Sequence, residues 1–341
     1  MNVRGTKIFV GLSGGVDSGV TAALLKAAEA EVTGVFIQGW YPPGQPCSWK
    51  EDRQDAMRVA ARLRIPFSTL DASREYKEAV IEYLLREYRK GNTPNPDVMC
   101  NRDVKFGAFH RYAKAHGADM IATGHYAQTE NGALLRGMDA TKDQSYFLWA
   151  VSTAVLQDVL FPLGQVQKTE TRRLAEKFNL PNATKKDSQG VCFLGSISVE
   201  EFLRDEFGVL KGQVKTEDGT VVGSHEGSYL HTLGERLALA NGPWYVTRKD
   251  IETNVLTVAH TPRSQRENSH ITLSETNWFA ATGEDEILQA QYRYHGPVIT
   301  GTLSKDRLAF HTSAPLAESI ARGQSLVIYR GDVCIGGGII E

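Results

Sequence analysis

A glycine-rich loop between an apolar run and a helical stretch constrains this chain more than any other feature. Residues 8–12 read IFVGL, the loop reads SGGVDS, and residues 16–28 have the composition of a helix. When a glycine loop connects a strand to the start of a helix, its backbone N–H groups can approach an anion. The N-terminus of the helix also attracts negative charge. The pattern predicts a phosphate-binding loop formed by Gly11, Leu12, Ser13, Gly14, Gly15, Val16, Asp17 and Ser18.

The loop differs from two common nucleotide-binding fingerprints. No Lys-Ser or Lys-Thr pair follows its last glycine, as in a Walker A loop, and its spacing is not that of the G-x-G-x-x-G motif. Asp17 at the helix start would repel a bare phosphate, but it suits a Mg²⁺ ion that arrives with the phosphate. The alternative interpretation is a plain glycine-rich turn with Asp17 or Ser18 near the helix cap.

Strand and helix patterns alternate through the first half of the chain. Further strands are predicted at residues 31–37, 66–70 and 119–124, and further helices at residues 53–63, 74–89 and 104–116. Such alternation is typical of an α/β fold with a doubly wound parallel sheet. Beyond about residue 205, hairpin signals and short alternating runs indicate β structure. We therefore predict an α/β domain at 1–203, a small middle module at 204–266 and a C-terminal β-barrel at 267–341.

Composition and charge exclude several classes of protein. The 341 residues carry a net charge of −2, which argues against an indiscriminate polycationic nucleic-acid binder. No apolar run approaches the ~20 residues that a bilayer span needs, and the apolar run at the N-terminus is too short for a signal peptide. We expect a cytoplasmic protein. The four cysteines, at positions 47, 100, 192 and 334, form no C-x-x-C pair, so a zinc site is not expected.

The stretch NTPNPDVMCNRDVKF places Cys100 three residues after Asp97. Its two prolines and its polar residues predict a stiff loop that ends near Val104, where the next helix begins. Arg102 and Lys105 follow Cys100, and nearby cations lower the pKa of a thiol. Asp97 is either an acid that caps the Pro96 turn or a carboxylate that moves a proton.

Cys192 occupies a second segment for which no regular structure is predicted. Lys185 and Lys186 precede it, while its apolar neighbours Val191, Phe193 and Leu194 leave burial as the alternative to reactivity. The segments TKKD (184–187) and QKTETRR (167–173) are interpreted as basic surface. Cys47 and Cys334 are interpreted as small buried hydrophobic residues, and Cys334 belongs to a predicted terminal strand.

The segment SGGVDS resembles the PP-loop of the ATP pyrophosphatases, an adenine nucleotide alpha hydrolase-like superfamily. Longer motifs throughout the chain narrow this resemblance to the tRNA-specific 2-thiouridylases: GNTPNPDVMCNRDVKF (91–106), ATGHYA (122–127), LLRGMDATKDQSYFLW (134–149), FPLGQVQKTETRRLAEKFNL (161–180), TKKDSQGVCFLG (184–195), HTLGER (231–236), PWYV (243–246), RYH (293–295) and GGGIIE (336–341). Two departures are LALAN, which replaces the family's Gly-rich segment after HTLGER, and FIQGW (36–40) on the adenine side.

The resemblance implies a sulfur-transfer reaction on the wobble uridine, U34, of tRNA. ATP would adenylate the uracil C2 oxygen, a persulfide on Cys192 would supply sulfur, and Cys100 would complete the exchange through a Cys100–Cys192 disulfide. The chemistry itself explains two cysteines, because a second thiolate must break the S–S bond of the carrier. The resemblance assigns proton transfer to Asp97. It also implies a sulfur donor, either a cysteine desulfurase or a sulfur-relay protein, and we expect a monomer.

The resemblance also assigns binding residues. ATP, accompanied by Mg²⁺, would lie on the 11–18 loop and near Ile37 and Gly124; no further metal site is expected. The implied tRNA contacts are Asn95, Pro96, Asp97, Lys142, Asp143, Gln144, Arg293 and Tyr294. Amide groups such as those of Asn95 and Gln144 can bond the edge of a flipped uracil, cations can meet phosphate, and Tyr294 can stack on a base.

Two other functions are compatible with parts of the sequence. A PP-loop enzyme of the lysidine or argininosuccinate synthetase type would transfer nitrogen, and its cysteines would be dispensable. An RNA-binding module with a Cys100–Cys192 redox switch would not need the phosphate-binding loop.

Overall fold

The computed structural model describes residues 2–42, 49–186, 197–261, 270–316 and 319–341. They form two compact units. The first contains residues 1–80, 97–196 and 331–335, and the second contains residues 81–96, 197–330 and 336–341. None of the helices within the described ranges is both long enough and apolar enough to cross a bilayer.

A five-stranded parallel sheet forms the centre of the first unit. Its strands are β1 (Lys7–Gly11), β2 (Glu31–Gln38), β3 (Phe67–Asp71), β4 (Met120–Ala122) and β7 (Val159–Leu160), in the order β3-β2-β1-β4-β7. The central strand β1 pairs with β2 on one side and β4 on the other, and its Ile8 and Val10 are fully buried. The predicted doubly wound parallel sheet is confirmed, since all four pairings between these strands are parallel.

Helices of the first unit follow the predicted order. They are α1 (Val16–Ala27), α2 (Trp49–Leu63), α3 (Ser73–Tyr76), α5 (Pro96–Met99), α6 (Phe109–Ala115), α7 (Thr153–Leu156) and α8 (Lys168–Lys177). Between α3 and α4 (Glu82–Arg89), Lys77–Ile81 is π-helical. Helix α2 begins four residues before the predicted Arg53, because Glu51 and Asp52 complement the helix dipole in its first turn. A hairpin of β5 (Ala127–Glu130) and β6 (Ala133–Arg136) completes this unit, and Leu134 of β6 pairs with Cys334.

The predicted loop around Cys100 is wrong. The chain is helical from Pro96 through α5, a π-helical segment at Cys100–Ala108 and α6. Proline at the first helical position loses no hydrogen bond, because the first N–H groups of a helix have no intrahelical partner, and its fixed φ suits the helix. Val98, Met99 and Val104 are buried, so packing holds the helix that the two prolines seemed to forbid. π-Helical segments are rare and are frequent at functional sites.

The second unit contains the predicted β modules, apart from residues 333–335 of the last strand, which belong to the first unit. Helix α9 (Val199–Phe207) precedes a five-stranded sheet of β8 (Gly212–Thr216), β9 (Val221–His225), β10 (Arg236–Leu237), β11 (Trp244–Asp250) and β12 (Val255–Ala259). Six strands then close into a barrel, as predicted: β13 (His270–Trp278), β14 (Leu288–Gln291), β15 (Val298–Leu303), β16 (Ala309–Thr312), β17 (Ser325–Arg330) and β18 (Val333–Ile340). Pairing of β13 with β18 closes the barrel. Cys334 is fully buried in β18, so its predicted burial in a terminal strand is confirmed.

Candidate functional site

The loop after β1 has the geometry of an anion site. Gly14 adopts a φ of +80°, and Gly15 precedes helix α1 as its N-cap without a side-chain capping bond. Ser13 N donates to Ser18 Oγ at 3.2 Å, and Ser18 Oγ donates to Gly15 O at 3.1 Å, which fixes the turn. Because no side chain caps the start of α1, the loop fits a phosphate group at that helix end.

Two neighbouring segments hold the loop at Gly14. A Cβ atom on Gly14 would lie 2.3 Å from the backbone oxygen of Asp52 in the first turn of α2, so only glycine fits there. On another side, Asn182 Nδ2 donates to Gly14 O at 2.9 Å. Neither residue was predicted from the sequence, because neither lies in a recognisable motif and both reach the loop from distant positions.

Asp17, in the first turn of α1, forms an ion pair with Lys168 at the start of α8. Lys168 Nζ lies 2.7 and 2.8 Å from the two carboxylate oxygens, and the lysine side chain is only 14% exposed. The hydroxyl of Tyr126 donates to Asp17 Oδ1 at 3.0 Å and lies 3.0 Å from Thr171 Oγ1. The interpretation of QKTETRR as basic surface is therefore wrong for Lys168, whose charge neutralises the carboxylate of the phosphate-binding loop.

The two further residues expected near ATP lie beside this loop. Ile37 is half-buried near the carboxyl end of β2, and its Cδ1 lies 3.7 Å from the Cβ position of Gly11. Gly124 follows β4, and a Cβ atom there would lie 2.8 Å from Ser18 N. The chain after β4 thus passes directly over the start of α1. Contact of Ile37 and Gly124 with a nucleotide stays a prediction.

Asp97 and Cys100 lie one turn apart on the helix that begins at Pro96, so their side chains point to similar sides of it. Cys100 is buried, with 2% exposure, and Asp97 is half-buried. Burial raises the pKa of Asp97, although the charge of Lys105 acts in the opposite direction. Arg102, expected to act on the Cys100 thiol, forms an ion pair with Asp103 at 3.0 Å.

His125, which was not predicted from the sequence, adds an imidazole near Lys105. Its burial, with a smaller contribution from the charge of Lys105, lowers its pKa well below the usual range, so the ring is neutral. Thr123 Oγ1 lies 2.8 Å from its Nδ1, and Phe106 and Phe161 pack against the ring. The motif ATGHYA contained this histidine, but its burial required the tertiary structure.

The expected tRNA contacts occupy different environments. The Asp143 carboxylate is 8% exposed and accepts hydrogen bonds from Arg136, Gly137 and Ser145, which commits it to internal structure. Within that segment, Lys142 and Gln144 are half-buried. Asn95 and Pro96 lie at the start of α5, where both are half-buried. In the second unit, Arg293 and Tyr294 lie between β14 and β15, and Tyr294 is 38% exposed.

Cys192 and Cys47 lie outside the described residues, so the predicted meeting of Cys100 with Cys192 stays a prediction. The residues that lead toward Cys192 are described as far as Lys186. Lys185 Nζ lies 2.8 Å from Asp52 Oδ1 and 2.7 Å from Asp55 Oδ2. The expectation that TKKD is basic surface is therefore wrong for Lys185, whose charge is balanced by two carboxylates. Lys186 is exposed.

Known protein families match nearly the whole chain. Three family models match in series: a tRNA methyl transferase HUP domain at residues 6–196, a tRNA methyl transferase PRC-barrel domain at 200–260 and an aminomethyltransferase beta-barrel domain at 268–340.

Curated relatives named tRNA-specific 2-thiouridylase MnmA match this chain, among them those of three bacteria. The protein of Herminiimonas arsenicoxydans is 40% identical over 98% of this chain and 97% of its own length. Those of Shouchella clausii and Chromobacterium violaceum are 42% and 43% identical over 98% of this chain, and over 96% and 92% of their own lengths. With this identity across the full chain, the protein belongs to the family of tRNA-specific 2-thiouridylases.

Proposed function

We propose that this protein is an ATP-dependent sulfurtransferase that forms 2-thiouridine at the wobble position, U34, of tRNA. The observation that carries the proposal is the presence, in one compact unit, of the phosphate-binding loop and of a helix that bears Asp97 and Cys100 one turn apart. The names of relatives that are 40–43% identical to this chain support the same reaction.

ATP with Mg²⁺ would occupy the 11–18 loop, close to Ile37 and Gly124. The uracil C2 oxygen would attack its α-phosphorus and pyrophosphate would leave, so that the C2 oxygen becomes part of an AMP leaving group. The uncapped start of α1 and the positive φ of Gly14 fit its phosphates. Asp17 is less suited to bind Mg²⁺ than the sequence suggests, because both of its carboxylate oxygens accept hydrogen bonds from Lys168 Nζ.

The cysteines perform the sulfur transfer. The terminal sulfur of a Cys192 persulfide attacks C2, the C–O bond breaks, and AMP departs. The Cys100 thiolate then attacks the Sγ of Cys192 and breaks the S–S bond, so that the electron pair stays on the sulfur attached to C2 and 2-thiouridine is released. A Cys100–Cys192 disulfide remains, which an external dithiol reduces before the next turnover.

Asp97 accepts the proton of the Cys100 thiol in this proposal. The two residues lie one helical turn apart, and a half-buried carboxylate with a raised pKa is a better proton acceptor than an ordinary aspartate. The proposed tRNA contacts are Asn95, Pro96, Lys142, Gln144, Arg293 and Tyr294. The Asp143 carboxylate supports the segment that contains Lys142 and Gln144.

Four further features are part of the proposal. The domain boundaries lie at 203/204 and 266/267, the enzyme is cytoplasmic, it is monomeric, and its sulfur donor is a cysteine desulfurase or a sulfur-relay protein.

One experiment tests this function. The protein, ATP, Mg²⁺, unmodified tRNA and a persulfide donor are incubated, the tRNA is digested, and the nucleosides are identified by mass spectrometry. We expect 2-thiouridine with the unmodified enzyme and with Cys47→Ser, and a loss of at least 100-fold with Cys100→Ser or Cys192→Ser. Full sulfur transfer by either of the last two variants would exclude the two-cysteine mechanism.

The same digest separates the alternatives. A methylated nucleoside would favour a tRNA methyl transferase, the activity for which the first two family models are named, over the activity of the curated relatives. Modified tRNA that contains added nitrogen and forms equally well in Cys100→Ser would favour a PP-loop enzyme of the lysidine synthetase type. RNA binding without any ATP-dependent product would favour the redox-sensitive RNA-binding module.

A further inference from the structure

Asn182 lies behind the phosphate-binding loop and donates to its backbone. The residue is 5% exposed, and its Nδ2 lies 2.9 Å from the backbone oxygen of Gly14. Its side-chain oxygen faces helix α1 instead, 3.6 Å from the Cβ position of Gly19. If the amide were rotated by 180°, two oxygens would meet without a donor between them, so the nitrogen is the atom that faces Gly14.

The bond to Gly14 sets the direction of the next N–H group. The carbonyl and the N–H of a trans peptide point to opposite sides of the backbone, so the N–H of Gly15 faces away from Asn182. It donates to the hydroxyl oxygen of Ser13 at a long 3.3 Å. Because Ser13 is exposed and Gly14 is buried, this N–H lies on the open side of the loop. Such a long bond can be exchanged for a bond to a phosphate oxygen.

Two adjacent glycines leave the peptide between them free to turn over. Glycine populates positive and negative φ about equally, so a flip of the Gly14–Gly15 peptide meets little steric resistance. The flipped peptide would direct the carbonyl oxygen of Gly14 at the ligand, where its partial negative charge repels phosphate. The bond to Asn182 exists only in the unflipped peptide, and it therefore favours the conformation that binds an anion.

The backbone that carries the Asn182 amide is itself held in place. Three residues later, Lys185 Nζ lies 2.8 Å from Asp52 Oδ1 and 2.7 Å from Asp55 Oδ2, both on helix α2. From helix α8, Arg172 Nη1 donates to the backbone oxygen of Lys185 at 2.5 Å. These bonds fix the segment on two sides, so the amide has a defined position from which it reaches the loop.

We infer that Asn182 is a positioning residue for the phosphates of ATP. Its amide holds the Gly14–Gly15 peptide so that the N–H of Gly15 faces the ligand. The inference rests on the proposed function, because that function requires ATP at the 11–18 loop. Asn182 acts through the carbonyl of Gly14 and serves the phosphates but not the adenosine part of the nucleotide. This selectivity distinguishes its role from general support of the fold.

The test compares a ligand that has phosphates with one that lacks them. Binding of a non-hydrolysable ATP analogue with Mg²⁺ is measured by calorimetry, and binding of adenosine by competition with a fluorescent adenine nucleotide. We expect Asn182→Ala to raise the Kd of the analogue about 10-fold, as loss of one hydrogen bond allows, and to leave the Kd of adenosine within 2-fold. Asn254→Ala is the matched control. It removes an amide that donates to the backbone oxygen of Leu210, also at 2.9 Å, and should change neither Kd.

Asn182→Asp provides a second measurement, which depends on pH. A protonated carboxyl group can donate to the oxygen of Gly14 as the amide does, whereas a carboxylate repels that oxygen and favours the flipped peptide. Burial at this position should raise the pKa of the new carboxyl group above that of an ordinary aspartate. Between pH 8 and pH 5, the Kd of the analogue relative to that of the unmodified protein should fall at least 5-fold. The same ratio for Asn182→Ala should stay constant, and titration of the analogue itself cancels in both ratios.

The outcomes separate this inference from the proposed function. Absence of analogue binding to the unmodified protein contradicts the proposed function. Normal binding of the analogue by Asn182→Ala, or an equal rise in its Kd for adenosine, overturns the positioning role alone. A ratio for Asn182→Asp that is the same at pH 8 and pH 5 also overturns it. If Asn182→Ala does not fold, this second ratio decides, because it compares one variant with itself.

Discussion

The ammonium group of Lys168 binds both carboxylate oxygens of Asp17, at 2.7 and 2.8 Å, across 151 positions of sequence. Asp17 lies in the first turn of α1, beside the loop that should receive the phosphates of ATP. A carboxylate there would repel an anion, at up to roughly 4 kcal/mol for two unit charges 4 Å apart near a protein surface. Lys168 cancels that charge, and Tyr126 holds the carboxylate in place at 3.0 Å.

Loss of Lys168 should therefore weaken nucleotide binding. We expect Lys168→Met to raise the Kd for ATP about 10-fold or more, measured by calorimetry, which corresponds to ~1.4 kcal/mol. Adding Asp17→Asn to this variant should recover most of the affinity, because no charge then needs to be neutralised. Lys177→Met, at the exposed end of the same helix, is the control and should bind normally. A double variant as weak as Lys168→Met would mean that Lys168 contacts phosphate itself.

The close approach of Asp52 to Gly14 predicts a specific cost for a side chain there. Gly14→Ala must accommodate a Cβ atom 2.3 Å from a backbone oxygen, whereas Gly5, with a similar φ of +70°, has no atom within 4 Å of its Cβ position. Both substitutions carry the backbone strain of a positive φ, so their difference isolates the clash. We expect Gly14→Ala to lower the free energy of unfolding by about 1–3 kcal/mol more than Gly5→Ala in urea titrations. Equal effects would show that the loop moves away from α2 without cost.

The raised pKa of Asp97 predicts how sulfur transfer depends on pH. If ionised Asp97 accepts the Cys100 proton, the acidic limb of the single-turnover rate should lie above the ordinary aspartate pKa of 3.8. Because the charge of Lys105 opposes the effect of burial, Lys105→Met should move this limb to still higher pH. Asp97→Asn should lower the rate about 100-fold and abolish the limb. An acidic limb that stays in place in Lys105→Met would assign it to another group.

The raised pKa of Asp97 also makes the free energy of unfolding depend on pH. The folded protein keeps a proton on Asp97 at pH values where the unfolded chain has released it, so the contribution of Asp97 to stability falls as pH rises from 3.8 through the folded pKa. Asp97→Asn removes this dependence. Denaturant titrations of the two proteins should therefore diverge as the pH increases through this range.

Elements that are determined by a short stretch of sequence were predicted correctly. The strand, loop and helix around Gly14 follow from residues within a few positions of each other, and so does the burial of Cys334 in a strand. The error at Pro96 arose because proline was interpreted as a helix breaker, although the first helical position accepts it. Whether a proline breaks a helix or begins one depends on the residues on either side of it. The burial of Val98 and Met99 is what favours a helix that begins at Pro96.

The partners of the site residues could not be predicted, because they come from distant parts of the chain. Lys168 reaches Asp17 across 151 positions, and Asn182 reaches Gly14 across 168. In the sequence, Lys168 and Lys185 look like ordinary solvated lysines within basic segments. Their neutralisation by Asp17, and by Asp52 and Asp55, depends on how α1, α2 and α8 pack, which no local pattern specifies.

Lys249 provides a last prediction, for the second unit. Its Nζ donates to the backbone oxygen of His231 at 2.7 Å, and burial lowers its pKa to about 8, although the charge of Glu235 opposes this effect. Between pH 8 and the ordinary pKa of 10.5 the unfolded chain binds the proton that the folded protein lacks, so stability from this group rises with pH over that range. We expect tryptophan fluorescence, through Trp244 in the neighbouring part of β11, to report a midpoint in urea that increases from pH 8 to pH 9.5.

Lys249→Met should remove that increase, because no group is left to release a proton on folding. Lys211→Met, which removes an exposed lysine just before β8, should retain it. The comparison uses the slope of the midpoint against pH and not its absolute value, since loss of the bond to His231 lowers stability at every pH. Parallel slopes for Lys249→Met and the unmodified protein would show that Lys249 keeps its proton throughout this range and that water reaches its ammonium group.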